Sequence, residues 1–202
     1  AISAEVLATG AKPVWVDEAE VSQEEEKNAC GNRIDVRRLK IGSYQVIVTP
    51  RDILPDEKML QLVPLCIVAG IGCKKGTSSD KIEHAFAKAG LRMEALCAVA
   101  SIDLKKEEAG LLEFCETRKV PFETYTAEEL QAVSGTFSAS EFVTGVTGVD
   151  NVCERSAVKY ASEHGMNQGE RLLGRQAKHG ELLLRKQAYG GVTVALAYVC
   201  SE

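Results

Sequence analysis

The chain has no apolar run of about 18 residues or more, the length that a membrane-crossing helix requires, so a transmembrane span is excluded. It has no surplus of positive charge: 24 Lys and Arg stand against 29 Asp and Glu, a net charge of -5. A general nucleic-acid binder needs a basic surface to neutralise phosphate, so that class is excluded too. No C-x-x-C pair occurs. Cys30, Cys66, Cys73, Cys97, Cys115, Cys153 and Cys200 are scattered, and with only His84, His164 and His179 beside them no metal-ligand spacing emerges. No protein-bound zinc is expected. An odd number of cysteines, several of them inside apolar runs, reads as reduced thiols in a cytoplasmic protein. The opening "AISAEVLATG" lacks a basic segment followed by an apolar one, so no secretory leader is expected. An initiator Met is also missing, which suggests a processed or trimmed chain.

What is present is the rhythm of an α/β protein. At 202 residues, with 45% hydrophobic and 26% charged, the chain can form one large or two small domains with a real core. The first ~60 residues differ in texture. "KPVWVD" and "YQVIVTP" read as strands around the polar, acidic stretch "EAEVSQEEEKNACGNR". From Pro64 the alternation strengthens. "LCIVA" and "ALCAVASIDL" are continuous apolar runs of the kind covered on both faces, and each is followed by a helical pattern. "PFETY" is a third strand. Thr126 with Glu129, and Ser138 with Glu141, fit the capping box. "EFVTGVTG" and "VCERSAVKYASE" read as helices, and "ELLLRKQ" and "VTVALAYV" as two strands joined by a tight turn at Tyr189-Gly190-Gly191. The predicted fold is a layered α/β/α arrangement on a mostly parallel or mixed sheet ending in an antiparallel hairpin. "LCIVA" should be its central strand.

Two strand-to-helix turns concentrate chemistry. The first, "GIGCKKGTSS", is built like an anion cradle, yet it is not a Walker A loop. Gly72 and Gly76 enclose only Cys73, Lys74 and Lys75, and Thr77 follows where that motif has its lysine. Glycines let backbone N–H groups approach a ligand, the following helix start adds positive potential, and the lysines add charge. Its plain alternative is a turn with two solvated lysines. Cys73 as a nucleophile lacks an identifiable partner base. The second turn, "SIDLKKEE", would bring Ser101, Asp103, Lys105 and Glu107 to the same sheet edge if the strands are parallel. Asp103 has the alternative of a helix cap. Lys186, mid-strand beside the Gly-Gly turn, either snorkels outward or lines a pocket.

Four ordered segments, "GIGCKKGTS", "SIDLKKEEAGLLEFCETRKVPFETYTAEEL", "SEFVTGVTGVDNVCERSA" and "KQAYGGVTVALA", resemble the C-terminal domain of the cobalamin-biosynthesis family CbiG, a domain shared with CobE. The resemblance covers about residues 64 to 200. The preceding "VIVTPR" and "LVPLCIVAGIG" resemble the tail of that family's middle region. The implied division is 1–62, part of a middle region, and 63–202, the C-terminal α/β domain. The family's N-terminal glycine-rich segment has no counterpart here.

The resemblance implies a cobalt-precorrin-5A hydrolase of the anaerobic route to vitamin B12, opening a lactone and releasing acetaldehyde. Cobalt would arrive on the tetrapyrrole substrate, with no resident cofactor. Partners would be the cobalt-precorrin and other cobalamin-pathway enzymes, with neither nucleic acid nor membrane. On that reading Asp103 or Glu107 is the base that activates water. The Gly72–Thr77 backbone, with Cys73, Lys74, Lys75 and Gly76, binds a carboxylate or oxyanion, and Ser101, Lys105 and Lys186 add contacts. The rival readings are a non-catalytic corrinoid carrier like CobE and a subunit-interaction domain with no ligand.

Overall fold

A computed structural model describes residues 14–15, 37–50, 52–53, 57–164 and 181–199. The acidic stretch with Cys30, and also His179 and Cys200, lies outside the described residues. Among the described residues the strands form two sheets. The smaller contains β1 (Val14–Trp15), β2 (Arg37–Ile41), β3 (Tyr44–Val48) and β4 (Met59–Leu62), in that spatial order. The β2–β3 pair is antiparallel and β3–β4 parallel. A main-chain hydrogen bond from Arg92 N–H to the Pro50 carbonyl, 2.8 Å, links this region to the larger layer.

The larger sheet carries the order β7-β6-β5-β9-β8, with β5 at Ile67–Cys73, β6 at Leu96–Ile102, β7 at Phe122–Tyr125, β8 at Leu182–Tyr189 and β9 at Val192–Tyr198. β5, β6 and β7 are parallel. β9 runs antiparallel to β5, and β8 antiparallel to β9. β5 is central, as its unbroken apolar run predicts, and Ile67 through Ile71 are buried. β9 is likewise interior. Gly190 and Gly191, both at positive φ (58° and 90°), close the β8–β9 hairpin, and only glycine adopts that pair of angles without strain.

Five helices complete the described chain: α1 (Ser79–Ala87), α2 (Ala109–Arg118), α3 (Ala127–Gln131), α4 (Glu141–Thr147) and α5 (Val152–His164). The residues of each strand alternate between two cores. Ile67, Ala69 and Ile71 of β5 pack with Ile82 and Phe86 of α1 and with Leu111 and Phe114 of α2. Val68, Ala98, Ala100 and Ile102 pack with Leu130 of α3 and with Val152, Ala157 and Ala161 of α5. The result is the predicted α/β/α layering.

Local expectations divide. The Thr126–Glu129 capping box is present in both directions. The Ser138–Glu141 box is not. α4 begins after Ser140 with no side-chain cap, and Ser138 instead donates its backbone N–H and its hydroxyl to Glu154, both at 2.9 Å. A buried carboxylate needs donors more than an exposed helix end needs a cap, and Glu154 is fully buried.

α5 sits so close to β5 that Gly70 has no room for a side chain. A Cβ there would lie 1.8 Å from the Cys153 carbonyl oxygen. Gly70→Ala must therefore push α5 off the sheet. Expected destabilisation is about 3 kcal/mol, measured as a lower urea midpoint of the folded chain. An unchanged midpoint would contradict this packing.

Candidate edge site

β5, β6 and β7 are parallel, so they leave the sheet at one edge, and the turns after them meet there. In the first turn, the Thr77 hydroxyl donates to the Lys74 carbonyl at 2.7 Å, closing Lys74–Thr77 on itself. Gly76 has φ +75° with open space around it, so its backbone conformation, rather than crowding, calls for glycine. Gly72 differs. Its hypothetical Cβ would meet the Thr193 hydroxyl oxygen at 2.6 Å, and that hydroxyl donates to the Gly72 carbonyl at 3.1 Å. Gly70 and Gly72 therefore serve helix and strand packing, and of the three only Gly76 opens toward solvent. Lys74 and Lys75 are exposed, and the Lys74 stem passes over Gly191 of the hairpin.

The second turn lies against the first. The Ser101 hydroxyl, fully buried, donates to the Ile71 carbonyl at 2.7 Å. Ser101 thus joins the two strand ends and is not open to a ligand. Asp103, half-buried, begins a single 3-10 turn, Asp103–Lys105. It does not cap α2, which starts six residues later with Glu108 at its N-cap. Leu104, between Asp103 and Lys105, is 65% exposed, so this edge presents apolar as well as charged surface.

Glu107 is exposed, and the carboxylate that reaches the first turn belongs to its neighbour. Glu108 accepts the Gly76 backbone N–H at 2.6 Å and the Lys105 ammonium at 3.1 Å. Reading the sequence missed it, because "KKEE" offers two adjacent glutamates and only the end of the 3-10 turn decides which faces inward. Burial works against ionisation of Glu108, but the Gly76 amide, Lys105 and Lys75 outweigh it and hold its carboxyl below the usual range. Behind this contact Gly110 lets α2 approach the Thr77 carbonyl, to which a Cβ would come within 2.0 Å.

Lys186 stands apart, on the α5 face. Its backbone N–H donates to Glu154 at 2.7 Å, and its ammonium is near enough to act on the Cys153 thiol. Burial pushes that thiol up to about 12, although Thr193 and Lys186 pull the other way. The structure thus groups Gly72, Cys73, Lys74, Lys75, Gly76, Thr77, Ser101, Asp103 and Lys105 at one edge. It leaves Glu107 outward and Lys186 across the sheet. Among the described residues no His, Cys, Asp and Glu cluster could hold a metal ion, and no helix is long and apolar enough to cross a membrane. The edge can bind an anion at its exposed lysines, meet apolar surface at Leu104, and present a half-buried carboxyl at Asp103.

Residues 67–197 match the protein family described as Cobalamin synthesis G C-terminus. A cobalt-precorrin-5A hydrolase of Salmonella typhimurium is 36% identical over 124 residues, 58% of this chain and 35% of that protein. Another, of Priestia megaterium, is 28% identical over 163 residues, 76% of this chain and 39% of its own length. Protein CobE of a Sinorhizobium species is 30% identical over 136 residues, 65% of this chain and 79% of CobE. The crystal structure of CobE, described as a protein from the cobalamin (vitamin B12) biosynthetic pathway, superposes with a TM-score of 0.53 at 26% identity. That match covers 67% of this chain and 94% of the CobE chain. The chain therefore spans well under half the length of these hydrolases but most of CobE.

The surroundings of Cys73 do not favour its thiolate. Burial raises its pKa, Glu108 adds to that, and Lys105 with the Thr77 hydroxyl only partly offset it. The thiol packs against the α1/α2 core as a small apolar group. Alkylation by iodoacetamide at pH 8 should be slower at Cys73 in the native chain than in the urea-unfolded chain, read by peptide mass spectrometry. Faster native alkylation would mean an activated thiol.

Proposed function

The chain belongs to the Cobalamin synthesis G C-terminus family, and from that premise we propose that it acts in cobalamin biosynthesis, holding cobalt-precorrin-5A for lactone hydrolysis. Residues 1–62 are then part of a middle region and 63–202 the C-terminal domain. The observation that carries the reading is the composition of the shared edge: exposed Lys74 and Lys75 on one turn, exposed Leu104 and half-buried Asp103 on the other. A cobalt-precorrin is an apolar macrocycle fringed with carboxylates, so it needs both kinds of surface. Charge-assisted hydrogen bonds to its acetate and propionate groups explain lysines on this edge of an acidic protein.

Hydrolysis on this reading proceeds at that edge. Asp103 takes a proton from water, which adds to the lactone carbonyl, and the backbone N–H groups of Lys74 and Lys75 meet the oxyanion that forms, those of Gly76 and Thr77 being held by Glu108 and the Lys74 carbonyl. Asp103 returns its proton to the departing ring oxygen, which leaves as a hydroxyl, and the acid so formed ionises to a carboxylate. Loss of the hydroxyl proton to a base, with cleavage of the adjoining carbon–carbon bond, releases acetaldehyde and leaves the electron pair on the macrocycle. Asp103 suits the role better than Glu107 because its carboxyl is partly withdrawn from bulk water beside the first turn, whereas Glu107 is exposed. Cobalt travels with the substrate, and the route is the anaerobic one.

A second reading is a corrinoid carrier without catalysis, which rests on the likeness to CobE: 30% identity over 136 residues and a TM-score of 0.53 to its crystal structure. Acetaldehyde release separates the two readings. Under the hydrolase reading Asp103→Asn lowers that release by about a hundredfold and leaves corrinoid binding unchanged. Lys74→Ala with Lys75→Ala weakens binding by about tenfold or more. Corrinoid bound by the wild-type chain with no acetaldehyde formed would replace hydrolysis with the carrier reading. Unchanged binding by the double lysine variant would remove the edge from both.

A further inference from the structure

We propose that Glu108 is a positioning residue, holding the Lys74–Thr77 turn in the geometry that receives a polycarboxylate. This inference rests on the edge being the binding site. Glu108 is not placed to meet the ligand itself, since only 8% of its side chain is exposed. Its two oxygens instead take donors from the two turns, the Gly76 N–H at 2.6 Å and the Lys105 ammonium at 3.1 Å. Gly76 lies 32 residues from it in sequence, so the contact is a cross-link between separate loops.

The first turn depends on such a link. Gly76 carries no side chain, and nothing lies within 4 Å of where one would begin, so packing cannot fix its left-handed conformation. The hydrogen bonds from Thr77 to the Lys74 carbonyl act within the turn and do not tie it to the sheet. Glu108 does tie it, because it is the N-cap residue of α2, whose Leu111 and Phe114 are buried in the core. Exposed Glu107 cannot replace it. Glu108 also neutralises Lys105, which is 17% exposed, while Lys74, Lys75 and Lys106 stay exposed to a ligand.

The test compares Glu108→Gln with Glu108→Met and Glu108→Ala in the 202-residue chain. All three remove the same charge, but only Gln keeps an oxygen that can accept the Gly76 N–H. Differences between Gln and the other two therefore read the positioning bond and not the change in charge. The probe is uroporphyrin, an octacarboxylate macrocycle, titrated by fluorescence at fixed ionic strength. Amide exchange at Gly76 is followed in parallel, and thermal melting shows which variants are folded.

The glutamine variant is expected to bind roughly tenfold tighter than the methionine or alanine variant, a factor one hydrogen bond supports, and its Gly76 amide to exchange more slowly. Either folded non-polar variant suffices for the comparison. Should neither fold, faster Gly76 exchange in wild type than in the glutamine variant overturns the inference, and retained protection in both sustains it. Equal affinities among folded variants, with the Lys74→Ala, Lys75→Ala loss intact, would overturn the role of Glu108 alone. Wild-type affinity that the lysine pair does not affect would sink the edge as a binding site and this inference with it.

Discussion

The parallel pairing of β5 with β6, from Val68 beside Ala98 to Gly70 beside Ala100, is the contact on which the candidate site depends. Parallel strands exit at a common edge, so the turn after β5 and the turn after β6 emerge side by side. An antiparallel pair of seven-residue strands would separate those turns by ~20 Å. No lysine stem spans that gap. The Ser101 hydroxyl extends the pairing beyond its last ladder bond by reaching the Ile71 carbonyl, and Glu108 then joins the turns themselves. Each contact lies further from the sheet than the one before and presupposes it.

A second constraint comes from the opposite face. α5 can lie on β5 only because Gly70 is bare, and Ser156 donates to the Ala100 carbonyl at 3.3 Å where the helix crosses to β6. Arg155, one position earlier, is turned toward α3. It pairs with Asp150 at 2.6 Å and donates to the carbonyls of Leu130 and Val133 at the end of α3. One helix therefore seats the sheet with its small residues and closes a neighbouring helix end with a cation. Because Gly70 and Gly72 serve this packing, the glycine-rich look of the first turn is a poor guide to ligand approach. The same residue type answers a packing need at Gly70 and a backbone need at Gly76.

The layers of the fold were legible because each rests on a signal within a few neighbouring residues. The apolar runs of β5, β6 and β9 declare burial on both faces, and Gly190-Gly191 declares a hairpin. The Thr126 capping box is also local and was readable. The Ser138 box failed for a non-local reason: Glu154, sixteen positions on, competes for the same serine. At the edge the pattern repeats. That the two turns meet follows from strand direction and could be anticipated. The choice of Glu108 over Glu107 follows from where a 3-10 turn hands over to α2, an offset that periodicity does not specify. The face that Lys186 takes was left open by the sequence for a related reason. β8 has register shifts between Leu182 and Leu184 and between Leu184 and Gln187, and each one alters the face on which later side chains emerge.

Charge explains why short-range contacts must govern this edge on the proposed reading. The chain is net negative, with 29 acidic against 24 basic residues, so at long range it does not attract a polycarboxylate. At physiological salt that opposition is screened beyond about 8 Å. What remains are the groups the ligand touches, and here the pairing within the edge decides the local sign. Lys105 is neutralised by Glu108, while Lys74, Lys75 and Lys106 stay exposed. Exposed lysines alone would take any small anion and discriminate little. Leu104 adds what an inorganic anion cannot use, an apolar surface whose burial under a macrocycle contributes about 25 cal/mol for each Å² removed from water. Selectivity for a large, ring-shaped polycarboxylate then arises from requiring both contacts at once, and that requires the two turns to keep a fixed separation.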